Sequence, residues 1–143
     1  MQDKIFFYTN ILVYLVNEDS PFHANVSKKF SEIKHGHQFR ISRQILREYA
    51  VVMTRPGIME KPLSSEELVS DIEAWKRIFQ IADETEQVTD RLIELIKNFY
   101  INGKRIHDAN IVATMLTNSI SRLFTVNVND FKKFKEIDIV TID

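Results

Sequence analysis

The sequence contains no cysteine, only three glycines and no long apolar run, and each shortage excludes a class of protein. Without cysteine there is no disulfide scaffold, no cysteine zinc site and no thiol catalysis. The three glycines leave neither a GxGxxG nor a Walker-type loop to cradle phosphate. No segment approaches the roughly 18 consecutive apolar residues of a membrane helix. We therefore expect a cytoplasmic protein that has no membrane partner.

The length and the charge are those of one globular domain. The chain has 143 residues, of which 44% are apolar and 27% charged, and its formal net charge is −1. This length predicts a single domain over residues 1–143. Residues 1–62 carry a charge of +3 and residues 63–101 a charge of −5. The overall charge argues against a long nonspecific nucleic-acid footprint, but it leaves room for a local basic rim beside an acidic site.

Short β-rich runs alternate with longer helical periods, which is the pattern of an α/β protein with a largely parallel sheet. The predicted strands cover residues 4–8, 38–41, 78–83, 122–126 and 137–142. The predicted helices cover residues 9–16, 20–36, 42–53, 64–79, 85–102 and 107–118. Ser20-Pro21 is predicted to start the second helix, with the serine as cap. Ser64 to Glu67 is predicted to form a capping box.

Two acids lie on the apolar faces of predicted helices. Glu48 and Asp108 each have apolar residues three and four positions away, and a carboxylate there is costly unless it is paired, hydrogen-bonded or metal-bound. The simpler interpretations of Glu48 are an ion pair with Arg43 or Arg47, or a side chain that points to solvent. The simpler interpretation of Asp108 is a helix N-cap. Taken alone, each acid favours its simpler interpretation.

Polar side chains also follow the predicted strand at residues 122–126. Asn127 and Asp130 lie just past its end, where ligands commonly bind in open α/β sheets, although an Asx turn would explain either singly. Because parallel strands end at one crevice, Glu48, Asp108 and Asp130 are expected to meet there. Three carboxylates in one place would not all ionise without a cation. Oxygen ligands alone select Mg²⁺ or Mn²⁺, which suits phosphodiester hydrolysis.

Four segments, in their order and spacing, resemble the motifs of PIN domains and, within them, of the VapC toxins of bacterial toxin–antitoxin pairs. They read FFYTNILVY at 6–14, SRQILREY at 42–49, HDANIVA at 107–113 and LFTVNVNDF at 123–131. The resemblance covers almost the whole chain. It implies a three-layer α/β/α sandwich on a mostly parallel sheet of about five strands. It also implies RNA cleavage with Mg²⁺ or Mn²⁺ held by acids of the four segments.

The resemblance assigns roles to individual residues. Glu48, Asp108 and Asp130 match the metal-binding acids of the second, third and fourth motifs. Asn127 and Thr9 would orient water or the neighbouring groups. The first motif departs from the family, since Asp-Thr-Asn is replaced by Tyr8-Thr9-Asn10. A phenol has an ordinary pKa of about 10 and is a poor Mg²⁺ ligand at neutral pH, so we interpret the site as a nuclease site that lacks one ligand.

Two explanations of Tyr8 stay open. It is either the natural residue of a degenerate PIN domain or a substitution that inactivates a toxin. In both cases the resemblance implies an RNA substrate, a cognate antitoxin that inserts into the active-site groove, and a homodimer. Basic residues near the motifs are predicted to hold RNA phosphates, although solvated helix faces explain them equally well: Arg40, Arg43, Arg47, Lys132 and Lys133.

The predicted function is therefore a metal-dependent endoribonuclease toxin of a VapBC-type pair, impaired by Tyr8. The alternative is a catalytically degenerate PIN domain that binds an antitoxin or RNA without cutting. The apolar stripe Leu68, Ile72, Trp75 and Phe79 would offer partner contacts, but such a stripe is more typical of a core. Phosphoacceptor receiver domains and haloacid-type phosphatases rank lower, because they need an N-terminal Asp nucleophile and Tyr8 takes its place.

Overall fold

The computed structural model describes residues 3–143 and contains a parallel five-stranded sheet flanked by helices. The strands are β1 (Asp3–Phe7), β2 (His37–Ile41), β3 (Gln80–Ile81), β4 (Arg122–Phe124) and β5 (Asp138–Val140). Their order is β3-β2-β1-β4-β5, and every neighbouring pair is parallel. The predicted α/β class with its parallel sheet is confirmed. The first two residues of the predicted domain 1–143 lie outside the described residues.

The helices form two packed groups. They are α1 (Thr9–Val16), α2 (His23–Ile33), α3 (Arg43–Thr54), α4 (Ser65–Ile78), α5 (Glu86–Phe99), α6 (Arg105–Thr117) and α7 (Val128–Phe131). Helix α1 packs on α2 and α3, α3 packs on α4, and α5 packs along α6. With the sheet these groups make a layered α/β fold. Within residues 3–143 no helix is long and apolar enough to cross a membrane.

The core is built around aromatic residues at the end of β1, the central strand. Phe6 and Phe7 are both fully buried, as expected for a parallel sheet covered on both faces. The Phe7 ring centroid lies 4.9–5.9 Å from those of four other rings, Phe30, Phe39, Phe79 and Phe124. This packing fixes the end of β1 and thereby places residue 8 at the carboxyl edge of the sheet.

The predicted and observed helix ends differ most where a turn forms in place of the first or last helical residues. The capping box is confirmed: Glu67 N donates to Ser64 Oγ at 3.1 Å, and Ser64 N donates to Glu67 Oε1 at 3.0 Å. The predicted start at Ser20-Pro21 is wrong. Phe22 N donates to Ser20 Oγ at 3.1 Å in a turn, so α2 begins only at His23.

Two further differences lie nearer the carboxyl terminus. Helix α5 ends at Phe99, before the predicted residue 102, because Tyr100 adopts a left-handed φ of 53°. The short helix α7 was not predicted, since four residues are too few to show a helical period. It nevertheless matters for the site, because it carries Asp130.

Candidate active site

The predicted motifs converge on one groove at the carboxyl edge of the sheet. Tyr8 follows β1 as the N-cap residue of α1, and Asn127 follows β4 as the N-cap residue of α7. Glu48 projects from α3 and Asp108 from the first turn of α6. Together with Thr9, these four residues line a groove of about 1030 Å³. The expected meeting of the motifs therefore occurs, with Asp130 beside the groove rather than in its lining.

The phenol of Tyr8 lies among the predicted acids. Its hydroxyl donates to Asp108 Oδ1 at 2.9 Å, and its ring packs edge-on against Phe131 with centroids 5.2 Å apart. Burial raises the pKa of Tyr8 far above its ordinary value of 10.0, and the charges of Asp108, Glu48 and Asp130 raise it further. The hydroxyl therefore stays protonated and acts as a hydrogen-bond donor.

Asp108 faces the groove and is not a helix cap. Helix α6 begins at Arg105 with Lys104 as its N-cap residue, so the interpretation of Asp108 as an N-cap is wrong. Burial raises the pKa of the Asp108 carboxyl above its ordinary value, the hydrogen bond from Tyr8 lowers it, and the charges of Asp130 and Glu48 raise it again. The carboxylate thus lies in a partly buried, negatively charged site, and its hydrogen-bond donor is the Tyr8 phenol.

The carboxylate of Glu48 is hydrogen-bonded through both oxygens. Thr9 Oγ1 donates to Oε1 at 2.6 Å, and Gln44 Nε2 donates to Oε2 at 2.9 Å. Among the described residues neither Arg43 nor Arg47 forms an ion pair with Glu48, so that interpretation is wrong. Two neutral donors hold this acid in place, which leaves its negative charge uncompensated.

Asn127 and Asp130 belong to the turn that starts α7. Asn127 N donates to Thr125 Oγ1 at 3.0 Å, and Asp130 N donates to Asn127 O at 3.2 Å. Both residues use only backbone atoms in these bonds, so the turn is not the Asx turn of the simpler interpretation, in which a side-chain oxygen would accept. The Asp130 carboxylate still acts on the site, because its charge raises the pKa values of Tyr8 and Asp108.

Of the five predicted phosphate-binding residues, Arg47 is the one in the lining of the groove. Arg40 donates to Gln38 Oε1 at 2.6 Å, and Arg43 Nε lies 3.5 Å from Asp83 Oδ1. Lys132 and Lys133 also lie outside the lining, the second with its Nζ 5.2 Å from the centre of the Phe134 ring. Phosphate binding by these residues stays a prediction.

Other groove residues were missed by the sequence analysis. Arg55, Lys104 and His107 contribute to the lining. Arg55 is the C-cap residue of α3, eight positions after Arg47, and only a predicted helix that continued past residue 53 would have placed both on one face. Lys104 and His107 had no such signal, because their place depends on how α6 packs against the rest of the site.

The carboxylates that the structure describes do not assemble into a metal-binding cluster. Within residues 3–143 no three His, Cys, Asp or Glu side chains are arranged to hold a metal ion. Asp108 Oδ1 accepts from Tyr8, and both oxygens of Glu48 accept from Thr9 and Gln44. The site as arranged therefore does not fit Mg²⁺ or Mn²⁺. That Glu48, Asp108 and Asp130 can hold a metal stays a prediction.

The sequence comparison decides the family. Residues 5–137 match the PIN domain model. The chain belongs to the PIN-domain family. Ribonuclease VapC24 of Mycobacterium tuberculosis is 24% identical to it over 127 residues, which cover 88% of each chain. The predicted resemblance to VapC-like PIN domains is confirmed.

Solved structures share the fold of this PIN domain. Mycobacterium tuberculosis VapC20, described as a sarcin-ricin loop cleaving toxin, aligns with a TM-score of 0.70 at 14% identity, covering 91% of this chain and 95% of its own. A toxin–antitoxin complex from Klebsiella pneumoniae aligns with a TM-score of 0.65 at 19% identity, covering 97% and 98%. Likeness at these identities shows the fold alone.

Proposed function

We propose that this PIN domain is a VapC-type ribonuclease toxin whose metal-dependent cleavage of RNA is impaired by Tyr8. The observation that carries the proposal is the hydrogen bond of 2.9 Å from the Tyr8 hydroxyl to Asp108, which puts a neutral phenol among three acids. The ribonuclease name of VapC24 and the cleaving activity in the description of VapC20 support RNA as the substrate class.

The chemistry of the site depends on which group stands at position 8. PIN-domain ribonucleases generally use a divalent metal ion, which neutralises developing charge and activates water when it is bound. In this chain Thr9 donates to Glu48 Oε1 and the phenol donates to Asp108 Oδ1, so one oxygen of each acid already has a hydrogen-bond donor. Replacing Tyr8 by an acid would remove the phenol and free Asp108 Oδ1. We therefore expect Tyr8→Asp to create the metal site that this chain lacks.

The RNA backbone is proposed to follow the groove past its basic side chains. Arg47, Arg55 and Lys104 line the groove, and within residues 3–143 none of them forms an ion pair. Free cationic side chains beside an acidic centre are suited to hold phosphates and to position the strand. An RNA strand would have to extend beyond the groove to contact the other predicted residues, Arg40, Arg43, Lys132 and Lys133.

A second candidate is a binding module that engages an antitoxin or RNA without cutting. The observation that favours it is the open groove, whose lining includes Val13, Val52, Ile58 and the 61% exposed Val51. An apolar floor of this kind suits a partner segment. The likeness to a toxin–antitoxin complex supports a protein antitoxin as that partner. The homodimer, the cytoplasmic location and the single domain over residues 1–143 belong to the same proposal.

The decisive experiment is a comparison of the unmodified chain with Tyr8→Asp. Mn²⁺ binding is measured by calorimetry, and RNA cleavage is measured with and without the metal. Tyr100→Asp is the matched control, because Tyr100 is 88% exposed and lies outside the groove lining. We expect Tyr8→Asp to bind Mn²⁺ and to cut RNA, and the other two proteins to do neither.

Two other outcomes would change the conclusion. Metal-dependent cleavage by the unmodified chain would mean that the remaining acids suffice and that Tyr8 does not impair the site. If neither the unmodified chain nor Tyr8→Asp binds metal or cuts RNA, the nuclease proposal fails. The binding module then becomes the better account, and pull-down of a co-expressed antitoxin would be the next measurement.

A further inference from the structure

Gln44 is a buried polar residue between two of the acidic motifs. It lies on α3, one turn before Glu48, and is 6% exposed. Its Nε2 donates to Glu48 Oε2 at 2.9 Å and to the backbone carbonyl of His107 at 3.0 Å. Its Oε1 accepts from Asn110 Nδ2 at 2.8 Å. A single side chain therefore joins α3 to two positions of α6.

The chemistry of these partners fixes the orientation of the amide. A carboxylate and a carbonyl can only accept, so the Gln44 nitrogen must face both of them. The Gln44 oxygen then faces Asn110, whose amide nitrogen donates. A flipped amide would lose all three bonds and place oxygen against oxygen at Glu48 and His107. The side chain thus has one favourable arrangement, and a glutamine that is satisfied in this way is rigid.

The Gln44 network reaches the acids of the candidate site. Thr9 on α1 and Gln44 on α3 each hold one oxygen of Glu48, so the plane of that carboxylate is fixed from both sides. On α6, the contacts of Gln44 at His107 and Asn110 flank Asp108 in the sequence. Hydrogen bonds of Gln44 therefore connect the two acidic motifs.

We propose that Gln44 is a positioning residue that sets the orientation of the Glu48 carboxylate and holds it in register with Asp108. The geometric part of the proposal stands on the hydrogen bonds alone. Its consequence for metal binding rests on the proposed function. A purely structural glutamine would link α3 to α6 by its hydrogen bonds without affecting what Glu48 can bind, and this difference separates the two roles.

The first measurement is a double-mutant cycle in the unmodified chain. Urea unfolding is compared for Gln44→Met, Glu48→Met and the double variant, because methionine keeps the length of both side chains without their polar atoms. We expect the unfolding equilibrium constant of the double variant to depart from additivity by about tenfold. The control cycle pairs Glu48→Met with Gln87→Met, whose glutamine is exposed on α5, and is expected to be additive. Additivity in the Gln44 cycle would overturn the pairing.

The second measurement asks whether Gln44 positions Glu48 for a ligand. In the Tyr8→Asp background, Mn²⁺ affinity is measured by calorimetry for Gln44→Met and for Gln87→Met at a temperature where both are folded. Loss of a partner that orients a ligand typically weakens metal affinity about 10–100-fold, and we expect this for Gln44→Met only. A folded Gln44→Met variant with unchanged affinity would overturn the positioning role.

The two measurements keep the two proposals apart. If Tyr8→Asp binds no Mn²⁺, whether combined with Gln44→Met or with Gln87→Met, the proposed function fails. The double-mutant cycle then decides by itself whether Gln44 orients the Glu48 carboxylate. If Tyr8→Asp binds Mn²⁺ and the cycle is additive, the proposed function stands and the role of Gln44 is overturned.

Discussion

Phe7 and Tyr8 are neighbouring aromatic residues at the end of β1, and their surroundings are opposite. Phe7 is fully buried among four other phenylalanine rings. Tyr8 reaches the groove, where its ring contacts Phe131 and its hydroxyl meets Asp108. Phe7 belongs to the core, and Tyr8 is the residue that we propose to decide what the groove binds. We therefore expect changes at position 7 to act mainly on stability and changes at position 8 mainly on what the groove binds.

The largest effect on stability is expected for Phe7→Ala. Removing a fully buried phenylalanine leaves a cavity in the aromatic cluster and costs about 3–5 kcal/mol of the free energy of unfolding. Urea unfolding measures the loss. Tyr100→Ala, at an 88% exposed position, is the control and is expected to change stability by less than about 0.5 kcal/mol. Equal losses for the two variants would mean that the cluster around Phe7 is not the centre of the core.

Tyr8→Asp is expected to lower stability by about 2 kcal/mol when no metal is present. The variant loses the ring contact with Phe131 and adds a negative charge beside Asp108, Glu48 and Asp130, while a new N-cap for α1 offsets part of the loss. Saturating Mn²⁺ is expected to restore the stability, which thermal unfolding with EDTA and with Mn²⁺ would show. A melting temperature that does not respond to Mn²⁺ would contradict the restored metal site.

Tyr8→Phe separates the ring from the hydroxyl. The ring contact with Phe131 remains, and only the hydrogen bond to Asp108 is lost, so we expect a loss of about 1.5 kcal/mol. Calorimetry is expected to detect no gain of Mn²⁺ binding, because the ring remains at its place against Phe131 and brings no oxygen ligand. Mn²⁺ binding by this variant would mean that the hydroxyl alone, and not the bulk of the side chain, keeps the metal out.

The smallest effect concerns the pH dependence of stability. Burial raises the pKa of Asp108 above its ordinary value of 3.8, so the folded chain keeps this proton to higher pH than the unfolded chain. The stability that the raised pKa of Asp108 contributes is fully present below the ordinary pKa. It is lost as the pH rises through the raised pKa. Urea unfolding between about pH 3.5 and 7 is expected to show the chain losing stability relative to Asp108→Asn. A gain over that range would contradict the sign.

The fold could be predicted where local chemistry decides the structure. The apolar run before Tyr8 predicted the central strand, and Ser64 with Glu67 predicted the start of α4 from a capping pattern four residues long. At Ser20-Pro21 the same kind of reasoning failed, because a serine hydroxyl can close a turn as readily as it caps a helix. Short elements such as α7 carry too few residues for any periodic signal.

The candidate site could be predicted only as far as its motifs. Glu48 and Asp108 were found because an acid on an apolar helix face needs a partner. The partners themselves were not predictable, since Asn110 reaches Gln44 across 66 positions of sequence and Tyr8 reaches Asp108 across 100. Lys104 had no sequence signal for the same reason. Tertiary packing decides these contacts, and it cannot be read from a single sequence.

We propose that the Tyr8 side chain occupies the place of a metal ligand. Anomalous diffraction from crystals of the unmodified chain and of Tyr8→Asp, both soaked in Mn²⁺, would show whether it does. The account predicts a strong anomalous peak beside Glu48 and Asp108 in Tyr8→Asp and none at that place in the unmodified chain. A peak of equal height at that place in the unmodified chain would contradict it.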